Sequence, residues 1–188
     1  VNISGACDDH FRKIPLSAQA RDGVMRRAGL SRPFVMYTGG ADERKNLHRL
    51  IEAFAALPAA LKARFQVALV GRMPPGHVAD LRAHGQRHGL DEELVFTGYV
   101  TDADLVRLYN ACELLLFPSL HEGLGLPPLE AMACDAPVIG ADATSLSEII
   151  GLPEAMFDPT SVPQISAKLQ QALEDEAFRQ RLREHGRA

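Results

Sequence analysis

Short, continuous apolar runs recur along the chain, and they alternate with stretches in which apolar residues return every three or four positions. The continuous runs are typical of strands buried on both faces of a parallel sheet, whereas the spaced stretches are typical of amphipathic helices. The alternation predicts an α/β fold with a doubly wound, Rossmann-like parallel sheet. Strands are predicted over residues 34–38, 66–70, 94–97, 114–117, 136–141 and 156–159.

Hydroxyl residues mark the predicted starts of several helices, because a side-chain oxygen can accept a hydrogen bond from a free helix amide. Ser17 precedes the first predicted helix. Thr101, Ser145 and Ser161 are each followed three residues later by an acid or a glutamine. This spacing predicts three capping boxes, and therefore three further helix starts.

The composition excludes several classes of function. With 46% apolar and 23% charged residues the chain is typical of a soluble globular protein, and no apolar run approaches membrane-spanning length. The net charge of -4 offers no basic surface for nucleic acid. Cys7, Cys112 and Cys134 form no CxxC pair and lack zinc-type spacing to histidine, which predicts reduced thiols and a cytoplasmic location. The chain begins without methionine or a signal-like block, which indicates a fragment of a longer protein.

The loop after the predicted strand 114–117 carries the main candidate site. Loops at the carboxyl edge of a parallel sheet bind ligands in open α/β folds. Gly123 and Gly125 let the backbone approach a ligand closely, and a helix beginning near Leu126 offers free amides at its positive end, which suits a phosphate. Glu122 and Glu130, with seven residues between them, can accept hydrogen bonds from sugar hydroxyls on either side. Glu130 alone has a second explanation, because the helix dipole favours an acid in the first turn.

The loop after the first predicted strand carries a second candidate. Gly39 and Gly40 end that strand, and Lys45 stands at the start of the following helix. A lysine there is electrostatically disfavoured, so it indicates a bound anion. The alternative is an ion pair of Lys45 with Asp42 or Glu43 on the surface.

Three other patterns in the sequence have simpler explanations than a functional site. Asp102 and Asp104 form a D-x-D pattern used by some metal-dependent transferases, but these acids open a helix, where the dipole already favours them. The glycines of the main loop do not complete G-x-G-x-x-G, because Pro128 stands at the last position, so a hydride-transfer site is not supported. The seven histidines are not expected to cluster, and His121 is expected to be a solvated loop residue.

The stretch FPSLHEGLGLPPLEAMACDAPVI, residues 117–139, resembles the signature of the retaining glycosyltransferases with the GT-B fold, often called family four. The family pattern is two glutamates with seven residues between them. The resemblance covers about residues 33–184. It implies that residues 1–188 are one Rossmann-like domain, the C-terminal half of a two-domain enzyme whose N-terminal domain is absent. Asp135 stands where the family usually has glycine, and aspartate tolerates a left-handed backbone.

The resemblance also implies roles for the candidate residues. Glu122 and Lys45 become the catalytic candidates, with Glu122 on the transferred sugar, Glu130 on the ribose and Lys45 on the leaving diphosphate. The family carries an arginine where Gly40 stands, and Arg72 is the candidate substitute. No metal is expected. The predicted sugar-donor-binding residues are Gly39, Gly40, Arg44, Lys45, Arg72, Tyr99, Val100, Glu122, Gly123, Gly125, Leu126 and Glu130.

The implied function is transfer of a hexose, such as mannose or glucose, from a GDP- or UDP-sugar to a glycan or lipid-linked acceptor. No cofactor is expected, and the domain alone is expected to be inactive. The full-length enzyme is expected in the cytoplasm, with peripheral attachment at the inner face of the membrane as an option. Two alternatives stay open: a sugar-nucleotide epimerase of the same architecture, and a non-catalytic nucleotide-binding module.

Overall fold

A computed structural model describes residues 7–187, which form a six-stranded, all-parallel sheet flanked by helices. The strands alternate with helices along the chain, as the hydrophobic pattern predicts. The strands are β1 Phe34–Thr38, β2 Gln66–Val70, β3 Leu94–Gly98, β4 Leu114–Phe117, β5 Val138–Ala141 and β6 Met156–Phe157. The helices are α1 Ala18–Arg27, α2 Leu47–Ala55, α3 Ala59–Arg64, α4 Pro75–Arg87, α5 Asp102–Ala111, α6 Leu126–Ala133, α7 Ser145–Ile150, α8 Val162–Glu174 and α9 Glu176–Gly186.

The strand order is β3-β2-β1-β4-β5-β6. Strands β2 and β3 lie on one side of β1, and strands β4, β5 and β6 follow one another outward on its other side. Val35 of β1 lies opposite Leu114 of β4, so the carboxyl ends of these two strands are neighbours. This reversal of the strand order between β1 and β4 is the topological switch point at which doubly wound sheets bind ligands. The predicted Rossmann-like fold is confirmed.

The apolar runs of the sequence form the centre of the core. Every residue of β1, β2, β4 and β5 is buried, because helices cover the sheet on both sides. Helix α2 packs against α4 and α8, whereas α5 packs against α1 and α6. Between β1 and β4, the ring of Tyr37 stacks on that of Phe117 with centroids 5.7 Å apart. No helix among residues 7–187 combines the length and the apolar character needed to cross a bilayer.

Three of the four predicted helix caps are confirmed, and the fourth is wrong. The hydroxyls of Ser17, Thr101 and Ser161 each accept a hydrogen bond from a first-turn amide. Ser145 is instead the first helical residue of α7, and the preceding Thr144 makes no side-chain cap. The hydroxyl of Ser145 bonds elsewhere, to the loop that carries the candidate site. Local sequence predicted the helix but not the tertiary use of its serine.

Other departures from the predicted elements are small. Helix α3 was not predicted, and β5 and β6 are shorter than their predicted ranges. Asp135 follows α6 with φ of 64°, so the predicted left-handed position is confirmed. Its carboxylate lies 2.6 Å from Nζ of Lys13 and 2.5 Å from Nε of Arg187, and these ion pairs tie the end of α6 to both ends of the described chain.

Candidate active site

The two predicted loops meet at the switch point between β1 and β4. The amide of Leu120, after β4, donates to the carbonyl oxygen of Arg44, after β1, at 2.7 Å. The buried side chain of Asn46 donates to the carbonyl oxygens of Pro118 at 3.0 Å and Pro159 at 2.7 Å. Asn46 adopts the left-handed region with φ of 60°, immediately before α2. These bonds hold the loop that carries Lys45 against the loop that carries Glu122.

The two predicted catalytic residues form an ion pair. Nζ of Lys45 lies 2.6 Å from Oε1 of Glu122, and the side chains are only 17% and 13% exposed. Nζ of Lys45 also lies 6.0 Å from the centroid of the Phe117 ring, at the end of β4. The alternative of a surface Lys45 paired with Asp42 or Glu43 is wrong, because the lysine is mostly buried and pairs with Glu122. Asp42 instead accepts from Nε of Arg44 at 2.9 Å. Residues 77 positions apart therefore share one mostly buried charge pair at the sheet edge.

Helix α7 holds the glycine loop from the other side. The amide of Glu122 donates to Oγ1 of Thr144, and Oγ of Ser145 donates to the carbonyl oxygen of Glu122, both at 3.1 Å. Gly125 has φ of 61°, and a Cβ there would lie 2.9 Å from a methyl group of Leu146. Gly125 is therefore required by its backbone conformation and by packing on α7, in addition to the predicted approach of a ligand. A Cβ on Gly123 would meet nothing within 4 Å, so this side of the loop is open.

Helix α6 presents an uncapped N-terminus next to this pair. The helix begins at Leu126, as predicted, and no side chain caps it. Pro127 and Pro128 have no amide hydrogen, so the free N–H groups of the first turn are those of Gly125 and Leu126. The positive end of the helix and the Lys45 ammonium together suit a phosphate.

Glu130 lies one turn into α6 and is held by a residue that the sequence did not single out. The hydroxyl of Tyr109 on α5 donates to Oε2 of Glu130 at 2.8 Å. Burial raises the pKa of Glu130, and the Tyr109 hydrogen bond partly offsets that rise. Tyr109 is itself fully buried, and its spacing with apolar neighbours indicated only packing. Because Tyr109 engages one carboxylate oxygen, the dipole of α6 alone does not account for Glu130.

The glycines after β1 and β2 pack against each other. Gly39 has φ of 141°, and a Cβ on Gly71 would lie 2.7 Å from the carbonyl oxygen of Gly39. The hydroxyl of Tyr37 donates to the carbonyl oxygen of Gly40 at 2.8 Å. A Cβ on Gly40 would have Asp42 as its nearest neighbour, at 3.7 Å, which is an ordinary van der Waals contact. Gly39 is thus needed for the turn, whereas Gly40 faces space.

The remaining predicted residues lie on the β2–β3 side of the switch point. Tyr99, after β3, is 70% exposed. The guanidinium carbon of Arg72 lies 5.9 Å from the centroid of its ring. Tyr99 and Val100 also line a cavity of about 150 Å³ beside α1 and α5. Arg72 is therefore engaged with Tyr99, and its predicted substitution for the arginine missing at Gly40 stays a prediction.

Two groups of residues that could bind a metal ion are the D-x-D acids and the histidines. Asp104 pairs with Arg27 at 2.6 Å and with Arg107 at 3.1 Å, and these partners lower the pKa of its carboxyl. The two ion pairs account for an acid at this position better than a metal site does. The expectation that the histidines do not cluster is wrong. The ring centroids of His48, on α2, and His88, just after α4, each lie 4.7 Å from that of His84 on α4.

Comparison with known proteins agrees with the fold and with the signature. Residues 26–188 match the family model described as glycosyl transferases group 1. The serotype-specific mannosyltransferase WbdA of Escherichia coli is 41% identical over the whole chain, which spans 23% of that protein. The O-antigen chain mannosyltransferase B of Escherichia coli is 36% identical over 96% of the chain, which spans 47% of that protein.

Solved structures share the architecture. WaaG, a glycosyltransferase involved in lipopolysaccharide biosynthesis, superposes with a TM-score of 0.81 at 23% identity, over 97% of this chain and 49% of that one. The C-terminal domain of the group 1 glycosyl transferase LpcC from Francisella tularensis superposes with a TM-score of 0.79 at 23% identity, over 97% of this chain and 94% of that domain. The chain spans from about a quarter to about half of the curated relatives named above. From the family match and these identities, the chain belongs to the family of glycosyl transferases group 1.

Proposed function

We propose that this chain is the sugar-donor-binding domain of a retaining hexosyltransferase, with a nucleotide-diphosphate mannose as the first candidate for the donor. Two relatives at 41% and 36% identity are named mannosyltransferases, which supports the choice of sugar. The share of their length that the chain spans supports a further domain that contributes the acceptor site. The epimerase alternative is not favoured, because these relatives are transferases.

The observation that carries the proposal is the ion pair of Lys45 and Glu122 beside the free end of α6. Both side chains are mostly buried, so separating them without a substitute would leave an uncompensated charge, at a cost of about 3–5 kcal/mol. A diphosphate at the end of α6 provides Lys45 with a new partner. Glu122 is then released to accept hydrogen bonds from hydroxyl groups of the transferred sugar. Sugar-donor binding therefore exchanges one ion pair for another.

The same arrangement provides charge stabilisation during transfer. When the bond from the sugar to the diphosphate breaks, negative charge grows on the diphosphate. Lys45 and the amides of Gly125 and Leu126 would face that charge, which lowers the barrier electrostatically and requires no proton transfer to the leaving group. Glu130 keeps one carboxylate oxygen on Tyr109 and has the other for a ribose hydroxyl. Sugar-donor binding through this lysine and this helix end is proposed to need no metal ion.

We also propose that the whole enzyme works in the cytoplasm. The three cysteines of this chain, Cys7, Cys112 and Cys134, are all free, which is the usual state in a reducing compartment. The acceptor, a glycan or a lipid-linked glycan, is assigned to the part of the enzyme that lies outside this chain.

Calorimetric titration of GDP-mannose and UDP-glucose into the chain, in the presence of EDTA, tests the proposal. Saturable binding is expected for one nucleotide, and Lys45→Gln should weaken it by roughly tenfold or more, because a charged hydrogen bond is worth about 1.5–3 kcal/mol. The matched control is Lys62→Gln, since Lys62 lies on α3 and donates to the carbonyl oxygen of Ala55. Binding that requires added Mn²⁺, or equal affinities of the two variants, would contradict the proposed site.

A transfer assay tests the assignment of the acceptor site to another domain. This chain alone should bind the sugar donor and transfer nothing, whereas a longer protein that carries the upstream domain should transfer. Comparable turnover by both proteins would show that the acceptor site lies within these residues.

A further inference from the structure

Three imidazole rings form a row on the surface between α2 and α4. The centroids of His48 and His84 are 4.7 Å apart, as are those of His84 and His88. On α2, His48 and Glu52 are four residues apart, and on the α4 side His84 and His88 are also four residues apart. Residues at this spacing lie on one face of a helix. The packing of α2 on α4 thus brings two such pairs together.

Three of these side chains offer ligand atoms to a common point. The ligand atoms of Glu52, His84 and His88 all lie within 4.8 Å of one another. Nε2 of His84 lies 3.1 Å from Oε1 of Glu52. This nitrogen is buried, yet it has no hydrogen-bond partner among the described residues, because the geometry with Glu52 is not that of a hydrogen bond. Ligands about 2.0–2.2 Å from a tetrahedral ion lie roughly 3.4 Å apart, so a small rotation of the exposed His88 would complete the set.

We propose that Glu52, His84 and His88 bind a divalent transition-metal ion of the Zn²⁺ class, which joins α2 to α4. Two imidazole nitrogens and one carboxylate oxygen suit Zn²⁺, whereas Mg²⁺ prefers oxygen ligands alone. Glu52 lies five residues after the first residue of α2, roughly 7.5 Å along that helix, whereas Lys45 precedes it. The three proposed ligands are all different from the residues proposed to bind the sugar donor.

Neighbouring groups position the ligands. Nε2 of His48 lies 2.7 Å from Oδ2 of Asp80, and the His48 ring packs edge-on against His84. A carboxylate that holds an imidazole in this way fixes the orientation of the ring. Nη2 of Arg87 lies 3.1 Å from Nδ1 of His84. With a metal on Nε2, Nδ1 carries the hydrogen, so the exposed Arg87 side chain must turn away, and Arg87→Ala should bind the ion more tightly than the parent.

The test is calorimetric titration of ZnCl₂ and MgCl₂ into the chain with the Cys7→Ser substitution. Cys112 and Cys134 are buried, so this substitution removes the more accessible thiol as a competing ligand. Saturable binding of one Zn²⁺ per chain is expected, with none for Mg²⁺. His88→Ala should weaken Zn²⁺ binding by at least about tenfold, the scale on which metal sites respond even to loss of an outer-shell partner.

His77→Ala is the matched control, since His77 is an exposed residue of α4 that lies seven positions before His84. Glu52→Gln should repeat the loss seen with His88→Ala, and both variants should keep the parent's melting temperature in EDTA and its affinity for a nucleotide sugar. Zn²⁺ should raise the melting temperature of the parent and of His77→Ala, but not that of His88→Ala or Glu52→Gln. Absence of saturable Zn²⁺ binding, or equal Zn²⁺ affinities of His88→Ala and His77→Ala, would overturn the proposal without touching the sugar-donor site.

Discussion

Replacing Glu122 by glutamine tests how the ion pair at the sheet edge competes with a bound sugar donor. The substitution keeps the size of the side chain and removes the charge that Lys45 faces at 2.6 Å. A free nucleoside diphosphate then no longer has to displace a carboxylate from Lys45. We expect the free diphosphate to bind more tightly to Glu122→Gln than to the parent. The nucleotide sugar gains little, because it also loses an acceptor for its hydroxyl groups.

The magnitude follows from the interaction that is removed. A hydrogen bond to a charged group is worth about 1.5–3 kcal/mol, so removing the competitor should raise diphosphate affinity roughly 10- to 100-fold. The nucleotide sugar gains the same amount and loses a sugar contact of similar size, so its affinity should stay within about tenfold of the parent's. In the unliganded variant the mostly buried Lys45 lacks its partner. The melting temperature should therefore fall, and a diphosphate should restore it.

Calorimetry with GDP, UDP and their hexose derivatives measures both affinities on both proteins. The matched control is Glu113→Gln, because Glu113 pairs with Arg21 at 2.7 Å just before β4, at the opposite edge of the sheet. This control should leave both affinities unchanged. A weaker affinity of Glu122→Gln for the free diphosphate, or an equal gain for both ligands, would refute the competition for Lys45.

Three further predictions concern the neighbouring residues. Glu130→Gln should weaken free diphosphate and nucleotide sugar by the same factor in calorimetry, because the ribose is common to both; a loss confined to the nucleotide sugar would reassign its role. Gly40→Arg should raise affinity for both ligands by about tenfold, because it adds a cation where the structure leaves space; no gain would place the diphosphate elsewhere. Burial raises the pKa of Glu130, so its ribose contact should be lost at a higher pH than for an ordinary glutamate as the solution is acidified. The pKa of Glu130 is higher in the folded than in the unfolded state, so the free energy of unfolding should fall as the pH rises from the unfolded pKa through the folded pKa. Titrations of affinity and of stability against pH should lose both effects in Glu130→Gln.

Most of the fold follows from the hydrophobic pattern, because its strands are buried on both faces and read as continuous apolar runs. The alternation of strands and helices predicts a parallel sheet, but it does not say which strands are neighbours, so the order β3-β2-β1-β4-β5-β6 and its switch point come only from the structure. Helix α3 was missed because its six residues offer too short a period. The capping box at Ser145 failed for a different reason: the hydroxyl serves the loop of Glu122, and no local pattern contains that partner.

The candidate site shows the same division between local and tertiary information. The two glutamates and the lysine were predicted from motifs, yet their spacing gives no sign that Lys45 meets Glu122. That contact depends on the reversal of strand order, which brings the ends of β1 and β4 together. The role of Tyr109 was hidden because a buried tyrosine at helical spacing looks like any packing residue. The histidine row was missed because His48 and His84 lie on different helices, 36 positions apart.

A crystal structure of this chain with its nucleotide-diphosphate sugar tests most directly whether Lys45 exchanges Glu122 for the diphosphate. The distances to measure run from Nζ of Lys45 to the diphosphate oxygens and to Oε1 of Glu122. We expect Lys45 to leave Glu122 and to contact the diphosphate beside the amides of Gly125 and Leu126, while Glu122 turns to the hexose hydroxyls. A bound nucleotide sugar with the Lys45–Glu122 pair still intact and the diphosphate away from the start of α6 would contradict it.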